Sequence, residues 1–191
     1  MKTDLEKLKE ECESCQKCSL ATTRTKVVFG KGNINPSVLI IGEAPGKNED
    51  LSGEPFVGAA GKVLDNLMAI AGLKNQYYVA NILKCRPPNN RNPLKDEKKL
   101  CTPFLEKQIS ILSPKIIITL GNHATEFMLK DTFENYPGIT KLRGTPINNK
   151  DGLTIFPTFH PAAAIYDNKK MVVIEEDFKT LGSILKDNKV L

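Results

Sequence analysis

The sequence predicts an α/β fold: a single domain of three layers, αβα, around a central, mainly parallel sheet of four strands. Three observations predict it. Short apolar runs rich in β-branched residues recur at 38–41, 77–83, 115–120 and 153–159, and such runs suit strands covered on both faces. Stretches with apolar residues at helical spacing lie between them, the alternation expected of a parallel sheet with helices on either side. A length of 191 residues suits one domain with enough chain to bury a substantial core.

Residues 2–18 read as a charged amphipathic helix running into a cysteine-rich turn, and 21–35 as a loop with a short strand at 27–29. The strand at 38–41 ends at Gly42, where GEAPGKNED, residues 42–50, breaks it. Small residues at 42, 44 and 46 let backbone amides approach a ligand, and Pro45 stiffens the turn. Ligand sites of open α/β sheets lie past the carboxyl ends of strands, so Glu43, Glu49 and Asp50 are candidate site acids. A polar loop over 50–56 leads to a helix over 57–71, with Val63, Leu64, Leu67, Met68 and Ala71 on one face and Gly72 as its stop. After the strand at 77–83, residues 84–93 hold three prolines and three asparagines and read as loop. A helix is expected over 94–112, broken or restarted at Pro103. Gly121 ends the third strand, and Asn122 caps a helix running to Lys130. Residues 133–151 are turn-rich, the last strand leads into HPAAAIY, and a helix over 172–185 closes the fold.

Composition narrows the function classes. No apolar run approaches the roughly 18 residues of a membrane span, and the first fifteen residues lack the apolar core of a secretion signal. A cytoplasmic protein with no membrane partner is expected. The formal net charge of +5 permits nucleic-acid binding without demanding it. Lysine and arginine are dispersed, so a DNA-binding face must be assembled by the fold.

Five cysteines stand at 12, 15, 18, 85 and 101. An odd number argues against a disulfide framework and for metal or reactive thiols. Cys15 and Cys18 form a CxxC turn, as do Cys12 and Cys15, while fifteen residues separate Cys85 from Cys101. Four thiolates suit structural zinc or an iron–sulfur cluster, and the spacing leaves both open. Buried apolar thiols are the plain alternative for Cys85 and Cys101. Asn81 is unusual within a strand, and its carboxamide offers both a donor and an acceptor. The plain role for it is a bond to backbone, and for Phe56 a place in the core. His160 follows the fourth strand, and His123 reads as structural or surface.

GEAPGKNEDLSGEPFVGAAGKVLD, YVANILKCRPPNNRNP and FPTFHPAAAIY occur in that order. On these motifs, from about Cys15 to Tyr166, the chain resembles the family 4 uracil-DNA glycosylases, the iron–sulfur branch of that superfamily. The resemblance implies a uracil-DNA glycosylase-like fold. It also implies a base excision repair enzyme that flips uracil out of DNA, hydrolyses the N-glycosidic bond, and leaves free uracil and an abasic site. The implied partner is uracil-containing DNA, single- or double-stranded, acted on by a monomer. The implied cofactor is one 4Fe-4S cluster on Cys15, Cys18, Cys85 and Cys101, with Cys12 as an extra thiol. That cluster would tie the cysteine-bearing segment, about residues 1–20, to the single domain spanning 1–191.

The implied uracil pocket is Gly42, Glu43, Ala44, Phe56, Asn81 and His160. Phe56 would stack on the base, Asn81 would pair with O4 and N3–H, and His160 would donate to O2 as charge develops. Relatives outside this branch carry a catalytic aspartate where Ala44 stands, so the implied catalytic set is His160 with Glu43 and Glu49 as water activators, Asp50 third. Glu49 is alternatively a group that crowds C5 and excludes thymine. DNA contacts fall to Lys84, Arg86, Arg91, Lys141 and Arg143, with Ile165 or Tyr166 as a wedge. A non-catalytic DNA-binding or polymerase-associated module of the same fold is the reading from a different class. Such a module has no need of Phe56, Asn81 and His160 together.

Overall fold

Every residue of the strand Val38–Gly42 is buried, and so is every residue of Ile116–Leu120. Strands apolar on both faces need a covering layer on each side. In the computed structural model, which describes residues 2–73 and 75–187, the strands are β1 (Lys31–Gly32), β2 (Val38–Gly42), β3 (Tyr77–Asn81), β4 (Ile116–Leu120), β5 (Ile147–Asn148) and β6 (Thr154–Thr158). They form one sheet in the order β1-β3-β2-β4-β6-β5. The inner four are parallel, and β1 and β5 lie antiparallel at the edges.

The sheet therefore has six strands where four were expected. The four are the parallel centre, and the additions are two-residue edges too short to carry a pattern. The strand expected at 27–29 is absent: Val28 makes a single bond, donating its N–H to the Lys84 carbonyl at 2.8 Å, and pairing starts at Lys31 instead. Gly32, at φ +132°, lets β1 lie against β3, because a Cβ there would stand 2.3 Å from the Tyr77 oxygen.

The helices are α1 (Asp4–Glu13), α2 (Lys47–Ser52), α3 (Ala59–Ile70), α4 (Lys95–Leu112), α5 (Asn122–Leu129), α6 (Ile139–Leu142), α7 (Ala162–Ile165) and α8 (Asn168–Asp187). None of them, among the described residues, is long and apolar enough to cross a membrane. The segment expected as a loop after residue 50 begins inside α2. Pro103 does not break α4. The carbonyl it leaves without a donor is that of Lys99, four residues back, at an exposed position that water can serve.

Successive strand residues point to opposite faces. Val38, Ile40, Ile116, Ile118 and Phe156 pack in one cluster with α3 and α8, whereas Leu39, Ile41, Ile117 and Ile155 pack in another with α4 and α5. Leu8, Cys12, Phe29 and Phe104 form a third, smaller cluster that seats α1 on α4. From β2 the chain goes first to β3 on one side and later to β4 on the other. The connections part at this switch point, and a crevice opens beyond the ends of Gly42, Asn81 and Thr158.

One polar knot closes the β6 side. Asp177 of α8, 2% exposed, accepts from Thr158 Oγ1 at 2.7 Å, from Arg143 Nε at 3.0 Å, and from Arg143 Nη2. Removing one partner of such a pair strands the other, a loss of about 3 kcal/mol for a partly exposed arginine. Asp177→Ala is expected to lower the unfolding free energy by about that amount in urea titration. The Asp177→Leu, Arg143→Met double variant should lose less.

Candidate active site

Gly42 and Asn81 are register partners at the ends of β2 and β3. A Cβ at position 42 would stand 2.4 Å from Asn81 Oδ1 and 2.9 Å from the Phe56 ring. Only glycine allows both groups so close. Asn81 is 2% exposed, and its Oδ1 is buried with no hydrogen-bond partner. Leaving such an oxygen unpaired costs about 1–3 kcal/mol, and His123 Nδ1 and Thr132 Oγ1 are buried without a partner in the same way.

Phe56 reaches the same point from the α2–α3 connection. Its φ of +54° lies in the left-handed region, which bulky residues avoid. Two features impose it. Glu49 Oε1 accepts from the N–H groups of Val57 at 3.0 Å and Gly58 at 2.9 Å. Gly61 of α3 sits directly under the loop, where a Cβ would fall 1.8 Å from the Phe56 oxygen.

His160 follows β6, its Cβ packed near Gly121, which holds φ +84° at the end of β4. Its ring lies 5.8 Å from that of Phe56, centroid to centroid, with 24° between the planes. The N–H of Ala162 donates to Nδ1 at 3.1 Å, so the proton of the neutral ring sits on Nε2. Although part of the ring faces the crevice, burial pushes its pKa down to about 4, opposed by the carboxylate of Glu49. At neutral pH it is therefore an uncharged donor.

Phe56, Asn81, His160, Glu43, Ala44 and Glu49 all line one cavity of about 400 Å³, within the range for small-molecule sites. A hollow of 430 Å³ opens elsewhere, beside Phe127, Asn149 and Leu153 where β6 begins, and gathers none of these residues. The three candidate acids separate. Asp50 is 4% exposed and accepts from the Thr25 N–H at 2.9 Å, so it is a structural brace and not a water activator. Glu49 lines the cavity, but one of its oxygens holds the Phe56 loop. Of the three, Glu43 alone has a carboxylate uncommitted to backbone; its Oε2 lies 3.9 Å from His123 Nε2. His123, read from sequence as structural or surface, is thus a neighbour of the site.

A second, smaller cavity is lined by Cys12, Cys15, Cys18, Cys85 and Cys101. All five cysteines are free. Arg24 Nη1 donates to Cys85 Sγ at 3.3 Å, and the Lys84 N–H donates to Cys101 Sγ at 3.2 Å. Burial pushes the Cys12 thiol up to about 12 and that of Cys101 up to about 11. Among the described residues, no three metal-ligating side chains are drawn together tightly enough for a single ion.

The expected DNA contacts divide. Lys84 is 1% exposed, so it lies inside the protein and not on a DNA-facing surface. Arg143 is committed to Asp177 and to the Val173 carbonyl, an internal ion pair in place of a free cation. Arg91 lines the cavity, clamped by both oxygens of Glu97 at 2.9 and 2.5 Å. Arg86 Nε donates to Asn90 Oδ1 at 2.7 Å, and Lys141 is exposed. At the rim, α7 carries Ala162 into the cavity and ends in Ile165 and Tyr166, 40% and 90% exposed.

Comparison with known proteins bears on the same segments. The profile of the uracil DNA glycosylase superfamily matches residues 29–182. A type-4 uracil-DNA glycosylase of Sulfurisphaera tokodaii is 47% identical over 185 residues, covering 94% of this chain and 84% of that protein. Type-4 uracil-DNA glycosylases of Saccharolobus solfataricus and Archaeoglobus fulgidus are 43% and 38% identical, over 98% and 94% of this chain and 89% and 92% of theirs. The matched span runs through every element that carries Gly42, Phe56, Asn81 and His160, and the chain belongs to the uracil DNA glycosylase superfamily, among its type-4 members.

Proposed function

We propose that the protein is a DNA repair glycosylase that hydrolyses the bond between uracil and deoxyribose in DNA. The observation that carries this reading is the buried, unpartnered Oδ1 of Asn81, on a residue that lines one cavity together with Phe56 and His160. A base must leave the stack to enter such a cavity. Uracil then lies on Phe56, a contact worth about 1–3 kcal/mol. Its N3–H donates to Asn81 Oδ1, and the amide nitrogen donates to O4. Cytosine presents an acceptor where Oδ1 needs a donor, and both groups are left unpaired.

As C1′–N1 breaks, its electron pair moves onto the base, and the charge gathers at O2. The Nε2–H of His160 meets it there without any charge of its own being needed. Water adds to C1′ and its proton passes to Glu43, the acid whose carboxylate no backbone N–H holds, while the released uracil anion takes a proton from solvent. The reaction ends at the abasic site, with water and not an amine of the chain adding to C1′. Arg86 and Lys141 would meet phosphates, Arg91 only through whatever its pair with Glu97 leaves exposed, with Ile165 or Tyr166 at the rim as a wedge.

The thiol cavity fits one 4Fe-4S cluster on Cys15, Cys18, Cys85 and Cys101. Its donors are all sulfur, two of them already receive N–H bonds, and all four line one small cavity. When bound, the cluster would supply a structural pin for the N-terminal turn, the loop carrying Arg86 and Arg91, and α4.

With an oligonucleotide holding one deoxyuridine, the protein is expected to give free uracil and an alkali-labile site. An intact strand across a range of salt overturns the reading and favours a binding module. Asn81→Ala, His160→Ala and Gly42→Ala should each lower single-turnover excision by about 100-fold or more while keeping affinity for plain DNA.

The low pKa of His160 has two consequences. Excision should show no loss from this group between about pH 5.5 and pH 8. In stability, the unfolded chain binds the extra proton between the unfolded value of about 6.5 and the folded value of about 4. The stabilisation is complete above that window and lost as pH falls through it, so urea midpoints should drop from pH 7 to 5 less in His160→Asn than in wild type. Iron and acid-labile sulfide should co-purify in about equal amounts and vanish in Cys85→Ala, whereas zinc in their place sinks the cluster assignment.

A further inference from the structure

Lys84 lines the thiol cavity and bonds to Asn81, which lines the other. It is 1% exposed, and its ammonium donates to the Asn81 carbonyl at 2.8 Å and to Gln108 Oε1 at 2.6 Å. Gln108 in turn donates to the Phe29 carbonyl at 3.0 Å. The backbone N–H of Lys84 reaches Cys101 Sγ. A methionine of similar length would fill this space without the desolvation that a buried ammonium suffers. The charge therefore serves something other than packing.

The charge lies near the thiols of Cys12, Cys85 and Cys101, and of its two acceptors the Asn81 carbonyl is the one that belongs to the pocket. Asn81 is the last residue of β3, where its strand ladder stops. Beyond it, the N–H groups of Ile82 and Leu83 bond across to the Gly42 and Glu43 carbonyls, each at 3.0 Å. β2 thus holds the chain from one side and Lys84 from the other. The side-chain Oδ1 of Asn81 has no protein partner to aim it. Its direction is inherited from the backbone that carries it and from the close packing at Gly42 and Phe56.

We propose that Lys84 is a positioning residue: its buried ammonium fixes the Asn81 peptide, and so the aim of the amide that reads the base. The inference rests on Asn81 as the uracil-reading group. Hydrogen bonds weaken steeply off their axis, and a displacement of about 1 Å can lower turnover about 100-fold.

The test is a double-mutant cycle of Lys84→Met and Asn81→Ala in the full chain. Three quantities are read. They are the single-turnover excision rate, the iron content, and the ratio of affinities for duplexes carrying uncleavable 2′-fluoro-deoxyuridine or thymidine. Lys84→Met alone should lower the rate at least about tenfold and bring the ratio toward one, with iron content and affinity for the thymidine duplex unchanged. Added to Asn81→Ala, it should lower the rate no further. The proposal is overturned by full additivity, by wild-type rate and ratio in folded Lys84→Met, or by iron lost in step with activity. Where Lys84→Met does not fold, Gln108→Leu, which removes the ammonium's other acceptor, goes through the same cycle, and the same outcomes support or overturn the proposal. A wild type that releases no uracil counts against the glycosylase reading alone, since the affinity ratio still reports on Lys84.

Discussion

At the end of β2 an amide oxygen and an aromatic ring occupy the space that a side chain at position 42 would fill. The rest of the site is arranged around that close approach. Glycine there lets β3 deliver Asn81 at the end of its ladder and lets the α2–α3 connection fold Phe56 across it. The same economy of side chains recurs at Gly61, beneath the Phe56 carbonyl, and at Gly121, beside His160. Three missing side chains bring a planar wall, an acceptor and a donor onto one small volume. All three glycines let other residues converge.

Two kinds of buried polarity are handled differently. Asp177, Glu97 and Asp50 are buried acids, and each has its partners inside the chain: Arg143 with Thr158, Arg91 with the Leu94 N–H, and the Thr25 N–H. These hold loops and helices to the sheet. Asn81 Oδ1 is buried and has none. His123 Nδ1 and Thr132 Oγ1 share that state, but of the three residues only Asn81 lines the cavity with Phe56 and His160. Lys84 belongs to the first kind through its two acceptors and touches the second through the peptide of Asn81.

The parallel centre of the sheet was legible because residues 38–41 and 115–120 are apolar on both faces, a pattern that only a covered strand tolerates. The edges were not, because β1 and β5 are two residues long and depend on tertiary fit, as at Gly32. Phe56, Asn81 and His160 could be picked out by motif, while their convergence depends on the ends of β2, β3 and β6 meeting at a switch point. Lys84 and Arg143 pass for surface cations in the sequence because charge alone does not say which way a side chain turns. Lys84 follows the buried Ile82 and Leu83 at a strand exit, and that apolar pair was the available sign of its burial. Asp50 and Glu49 look alike as acids in a site loop, and only their backbone partners tell a brace from a pocket wall.

Phe56 is the residue whose backbone the fold least wants. A non-glycine side chain in the left-handed region adds strain of about 1–3 kcal/mol, held in place here by Glu49 and by the bare surface of Gly61. Glycine or asparagine would sit there at ease. A laboratory evolution campaign that rewarded heat resistance alone would discard the phenyl group, and with it the proposed stacking face of the pocket. Durability and eyesight are in opposition at this one position.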